Sequence, residues 1–276
     1  MTAEAPPKPL ALTIAGSDSG GGAGIQADIK AMEANGVFAA SVITAVTAQN
    51  TKAVTAAFDL PLDIIEAQLD AVADDFAFGA VKTGMLSSSA IIELVARKVR
   101  EHELRPLVVD PVMISKSGFA LLQPDAVEAL RRDLLPLATL VTPNVHEAER
   151  LTDTEIRTRD DAEAAAHAIH ALGPQAVLVK GGHLEGESDA VDVLFDGADV
   201  HAFRSERIDT PHTHGTGCTY ASAIAAWLAR GAALPEAVRR AKAYVTEAIR
   251  HGLPIGGGHG PTSHFYFLDE PDAATA

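Results

Sequence analysis

Apolar positions along the chain follow two alternating rhythms. Residues 10–15 form a short apolar run that stops at Gly16, and residues 23–35 then carry Ile25, Ile29 and Met32 at helical spacing before Gly36. Short runs of the first kind predict buried strands, and three-and-four spacing predicts amphipathic helices. The alternation continues with strands expected over 37–46, 80–82, 107–110, 139–142 and 176–180. Helices are expected over 61–74, 87–102, 124–134, 144–151 and 160–172. A hairpin is predicted over 191–203, turning at Asp196 and Gly197, and two closing helices begin at Gly217 and Leu234. Strands interleaved with amphipathic helices predict an α/β fold with a mostly parallel sheet covered on both faces.

No linker or repeat divides the sequence, so one domain is expected over 10–268, with loose ends at 1–9 and 269–276. In open parallel sheets ligands bind at the carboxyl ends of the strands. Gly16, Lys82, Asp110, Asn144 and Lys180 all fall there. The formal charge of −15, from 37 acidic against 22 basic residues, opposes a nucleic-acid partner. It does not oppose a small anion held by backbone amides and a metal ion. A single cysteine excludes an intramolecular disulfide framework, and residues 1–9 lack the apolar core of a secretory signal. With no uninterrupted apolar run near the roughly 20 residues of a membrane span, a cytoplasmic protein without a membrane partner is expected.

Three segments carry candidate chemistry. The first runs from Ala15 to Gly24 and contains Gly16, Gly20, Gly21, Gly22 and Gly24 ahead of a helix with Gln26 and Asp28. Such glycines either let backbone amides approach a ligand or form a tight structural turn. Neither a Walker A lysine nor a ribose-binding acid accompanies them. The second, Thr213-His214-Gly215-Thr216-Gly217-Cys218, opens an apolar helix. Small residues at a helix start offer several N–H groups to one anion, and the same position lowers a thiol's pKa. Cys218 is thus either a base for a substrate hydroxyl or an inert buried thiol. The third is Asp110 with Asn144 and Glu147. Asn144 and Glu147 suit a first-turn pair facing Mg²⁺ and equally suit a capping box. His212 with His214, and His167 with His170, lack a third ligand at suitable spacing for zinc and read as surface and loop histidines.

Together, Leu12 to Asp18, Gly24 to Asp28, Val46 to Thr51, Lys82 to Leu86, Asp110 to Met113, Lys116 to Gly118, Thr142 to Asn144, Lys180 to His183 and His214 to Cys218 closely resemble the hydroxymethylpyrimidine and phosphomethylpyrimidine kinases of the ribokinase superfamily. That resemblance implies a ribokinase-like three-layer αβα sandwich, usually dimeric. It implies phosphorylation of hydroxymethylpyrimidine, then of its monophosphate, with ATP and Mg²⁺, in thiamine biosynthesis. By motif, Gly16, Asp28, Gln49, Met85 and Val112 would surround the pyrimidine. Asp110, Asn144, Glu147 and Lys180 would serve the nucleotide, with Asp110 and Glu147 at the metal. Gly215, Thr216 and Gly217 would form the anion hole beside Cys218 as base. The lid segment at Lys116 to Leu122 lacks the acidic residue that many relatives have after the glycine. Pyridoxal or pyridoxine kinase is the nearest alternative, and a non-catalytic thiamine-precursor sensor is another; a nicotinamide-binding oxidoreductase is more distant.

Overall fold

The computed structural model describes residues 8–115, 118–123, 125–182 and 184–268. Among them nine strands form one sheet in the order β3-β2-β1-β4-β5-β6-β7-β8-β9. The parallel centre comprises β1 (Leu10–Asp18), β2 (Phe38–Gln49), β4 (Ala80–Thr83), β5 (Leu107–Val109), β6 (Leu140–Val141) and β7 (Val177–Val179). β3 (Val54–Asp59) joins β2 antiparallel at one edge. β8 (Ala190–Phe195) and β9 (Val200–Ser205) form the expected hairpin at the other.

Side-chain alternation divides the core into two layers. Leu12, Ile14, Val81, Leu107, Val109, Val177 and Val179 face one layer, covered by α2 (Leu62–Ala73), α3 (Ser89–Glu101), α4 (Ala126–Ala129), α5 (Val145–Thr152) and α6 (Arg159–His170). Ala11, Ala80, Val108, Leu140 and Leu178 face the other, covered by α1 (Gly24–Ala34), α7 (Thr216–Ala229) and α8 (Leu234–Arg250). Because each central strand is buried on both faces, it reads as a continuous apolar run. The result is the expected three-layer αβα sandwich.

The predicted helix over 124–134 is interrupted, since α4 passes into a wider π turn at Leu130–Leu134 and a 3-10 turn at Leu135–Leu137. Pro136 lacks the N–H that a continuing α-helix would use. β3 has no counterpart in the sequence expectation. Its residues 55–58 are exposed, so it has no buried face to impose an apolar rhythm. β1 also extends beyond Gly16 to Asp18, with a register irregularity between Ala15 and Ser17. Of the loose ends expected at 1–9 and 269–276, residues 1–7 and 269–276 lie outside the described residues, as do the lid residues Lys116 and Ser117, Pro124 at the start of a predicted helix, and His183, whereas Pro9 O accepts the Phe38 N–H at 2.8 Å.

Candidate active site

Asp18 ends β1 and organises the glycine loop behind it. Its Oδ1 accepts the Gly20 N–H at 2.7 Å, while Oδ2 accepts Ala23 N–H at 2.9 Å and Gly22 N–H at 3.2 Å. His214 Nε2, from the turn before α7, donates to the same Oδ2 at 2.9 Å. Burial alone would raise this carboxyl, but the His214 bond and the loop amides outweigh it and hold Asp18 below the usual carboxylate value. The glycine segment is therefore a folded turn tied to the second glycine motif. His214, read from sequence as a loop histidine, is buried in that tie.

The second turn depends on Gly215, which caps α7 with φ 79°. A Cβ there would collide with the carbonyl oxygen of Gly22, so both the left-handed backbone and the close approach of the two loops require glycine. Thr216 Oγ1 donates to Thr213 O at 2.8 Å and fixes the turn. First-turn N–H groups of a helix have no intrahelical acceptor, which leaves those of Gly217 and Cys218 for an anion. The point where a Gly217 Cβ would sit is 3.3 Å from Lys180 Nζ and 3.9 Å from Asp110 Oδ2. The start of α7 thus adjoins Asp110 and Lys180.

Asp110 follows β5 and Lys180 follows β7, and Lys180 Nζ reaches Asp110 Oδ1 at 2.9 Å. Thr142 Oγ1 lies 3.3 Å from that oxygen. Asn144 caps α5 by accepting the Glu147 N–H at 2.9 Å, and Glu147 returns the bond by accepting the Asn144 N–H at 2.8 Å. The capping box is therefore present. Burial foremost, and the Asp110 charge, push the Glu147 carboxyl up to about 7 against the attraction of Lys180. Lys180 is held above its ordinary value, because Asp110 and then Glu147 outweigh the burial that would lower it. Among the described residues no three His, Cys, Asp or Glu side chains are grouped to hold a metal by themselves. The adjacent Asp110 and Glu147 carboxylates fit Mg²⁺ of the kind that draws its other oxygens from phosphates and water.

Lys82 is wholly buried on β4, and its ammonium lies 2.9 Å from both oxygens of Asp28 on α1. Thr13 Oγ1 and Ser222 Oγ also donate to Asp28, at 2.6 and 2.7 Å. Asp28, expected around the pyrimidine, is 0% exposed, and both its carboxylate oxygens are engaged by protein donors. The expected lowering of the Cys218 thiol is not found either. Burial, the largest cause, pushes it up to about 12, although Lys82 and the Gly24 amide pull the other way. The helix start does not compensate for desolvation beside Asp28 and Asp110.

The remaining expected residues are distributed around this centre. The Gln49 amide lies 3.4 Å from His214 Nε2, which places it next to the residue preceding Gly215. Gly16 lies against the Met85 methyl group. Val112, expected around the pyrimidine, lines a small cavity of about 10 Å³ with Thr83, Gly84 and Asp110. Sequence reading assigned no partners to Asp18, His214 or Lys82. A lysine within the apolar run Ala80-Val81-Lys82 was the available signal, since a buried lysine demands an acid. His167 and His170 pack on Phe195, with ring centroids 4.1 and 4.9 Å away.

The chain matches the phosphomethylpyrimidine kinase family model over residues 18–263. It is 53% identical over 272 residues to a hydroxymethylpyrimidine/phosphomethylpyrimidine kinase of Streptomyces coelicolor, covering 98% of this chain and 100% of that one. A thiamine biosynthesis bifunctional protein of Geobacter sulfurreducens is 52% identical over 264 residues, covering 96% of this chain and 54% of that protein. A pyridoxal kinase of Bacillus subtilis, solved as an ADP complex, superposes with a TM-score of 0.88 at 43% identity, over 95% of this chain and 99% of that one. With a ribokinase-like sandwich and a family match spanning most of its length, the chain belongs to the phosphomethylpyrimidine kinase family of phosphotransferases.

Proposed function

We propose that this chain transfers the γ-phosphoryl group of ATP to the hydroxymethyl group of 4-amino-5-hydroxymethyl-2-methylpyrimidine, and then to the resulting monophosphate, in thiamine biosynthesis. The observation that carries this reading is the convergence at Gly217, where a helix start, Lys180 and Asp110 meet one residue from Cys218. Phosphoryl transfer needs positioning and charge stabilisation more than covalent help. The Gly215 to Gly217 turn supplies amides for the transferring group, and Lys180 supplies a cation beside it. Bound Mg²⁺, held through Asp110 and Glu147 and the phosphates, would neutralise the charge that develops between the phosphoryl groups.

Gln49, Gly16 and Met85 form the pyrimidine side of the site, with the Gln49 amide hydrogen bonding to the ring. Cys218 serves as base through its thiolate. With the thiol at about 12, that fraction is small at neutral pH, so its contribution grows as pH rises. Asn144, as the α5 cap, fixes Glu147 toward the nucleotide.

Pyridoxal phosphorylation is the second reading, favoured by the likeness to the Bacillus subtilis pyridoxal kinase. Both readings are tested by product analysis with ATP and each acceptor: hydroxymethylpyrimidine, its monophosphate and pyridoxal. The proposal expects the pyrimidine mono- and pyrophosphates. ATP consumption that ignores the pyrimidine, or that follows pyridoxal alone, refutes it. We place the protein in the cytoplasm, and no helix among the described residues is long and apolar enough to cross a membrane. A homodimer is supported by Phe38, Val46, Phe58, Leu62 and Ile64, all exposed around the β2–β3 edge.

A further inference from the structure

Away from the proposed reacting atoms, the half of the sheet that carries the nucleotide loop contains a second buried acid–base pair. Asp192 on β8 is 2% exposed, and its Oδ2 accepts Lys242 Nζ of α8 at 2.7 Å. Its other oxygen, Oδ1, accepts the Gly181 N–H at 3.1 Å. Lys242 is itself buried and stands 5.9 Å from the centre of the Tyr220 ring on α7. Burying two charges is costly, and nothing in the proposed chemistry at Gly217 uses them.

A backbone group that this pair holds, the Gly181 N–H, lies next to Lys180. The Lys180 N–H is bonded to Pro143 O at 2.8 Å, so the segment is pinned from α5's side by Pro143 and from β8's side by Asp192. Gly181 fits too tightly against Val191 O and Leu184 for any Cβ, which brings its N–H within reach of Asp192. A loop is otherwise the least constrained place to mount a phosphate-facing lysine.

We infer that Asp192, oriented by Lys242, is a positioning residue for the Lys180-Gly181-Gly182 loop and acts on nucleotide binding without touching the nucleotide. This rests on the reading of Lys180 as a nucleotide residue. Lys242 fixes the carboxylate rotamer, and the carboxylate fixes the peptide that carries Lys180.

The test compares two double variants, Asp192→Asn/Lys242→Met and Asp192→Ala/Lys242→Met. Both remove the ion pair, so neither strands a buried charge, and they differ in whether an acceptor remains for Gly181. Loss of that acceptor is expected to raise the KM for ATP about tenfold in the alanine double variant. The KM for the pyrimidine stays within about twofold, and the asparagine double variant stays near wild type for both. Equal kinetics for the two, or a shift in thermal stability alone, overturns the inference. So does a parallel rise in both KM values. Lys180→Met separates the two layers of argument. If it leaves both kcat and the KM for ATP unchanged, the nucleotide reading falls and the inference with it. If Lys180→Met acts and the two double variants do not differ, the inference alone falls.

Discussion

Lys82→Met leaves Asp28 as a charge in a dry interior, and the geometry sets what that costs. Lys82 and Asp28 are both 0% exposed, and the ammonium meets both carboxylate oxygens at 2.9 Å. Breaking a buried pair by removing one partner typically costs about 3–5 kcal/mol. Thr13 and Ser222 continue to donate to Asp28, which argues for the lower end, about 3 kcal/mol. For a chain of this size that corresponds to a fall in Tm of roughly 6–12 °C. Trp227, the single tryptophan, lies on α7, the helix that carries Ser222, with the Arg230 and Arg240 guanidiniums 4.2 and 4.4 Å from its ring centroid. Its fluorescence in urea therefore follows unfolding of the layer that holds the pair. The double variant Lys82→Met/Asp28→Leu removes both charges and should recover most of the loss. A Lys82→Met cost below about 1 kcal/mol would refute the reasoning, as would additive single and double variants.

Cys218→Ala should lower kcat about 100-fold with little change in the KM for pyrimidine, since general-base contributions start near that size. Wild-type kcat should climb with pH from 6 to 9, and a flat profile would remove the thiolate from the mechanism. Gly215→Ala forces a Cβ into the left-handed region and against Gly22, so a loss of about 1–2 kcal/mol from backbone conformation alone is expected, together with a large fall in kcat. Calorimetry and steady-state kinetics on the same preparation check both. Glu147, with its carboxyl at about 7, loses its charge as pH falls from 8 to 6, so the Mg²⁺ concentration for half-maximal turnover should rise about tenfold over that range. A pH-independent Mg²⁺ requirement would exclude Glu147 from the metal.

What could be read from the sequence was what is encoded locally. The central strands announce themselves because burial on both faces leaves continuous apolar runs, as in Leu107-Val108-Val109. The Asn144–Glu147 box joins residues three positions apart, and the Gly215 turn is bounded by the helix that follows it. β3 escaped because an exposed edge strand has no apolar rhythm to display. Long-range polar pairing escaped for a different reason. Asp18 and His214 stand 196 positions apart, and Lys82 and Asp28 stand 54 apart, so no spacing rule joins them. The resemblance set Asp28 around the pyrimidine, and its pairing with Lys82 was hidden for the same reason. The Cys218 thiol was misjudged because helix-start position is visible in sequence, whereas the burial that dominates it is not.

The three acid–base pairs at the site also bear on how an acidic protein admits a polyanion. The chain carries a formal charge of −15, Lys82 and Lys180 are each matched to an aspartate, and His214 hydrogen-bonds a third. Matched lysines leave little surplus side-chain charge at Lys82 and Lys180 to draw ATP in. The attraction then falls to groups that net charge does not count, namely the first-turn amides of α7 and a metal ion arriving with the phosphates. Each pair also spans two elements: β1 to the turn before α7, β4 to α1, and the end of β5 to the end of β7. Charge compensation and mechanical clamping are therefore the same contacts. Removing one of these partners leaves an aspartate without its contact and frees an element beside the proposed site, so stability and turnover are expected to move together at these three positions.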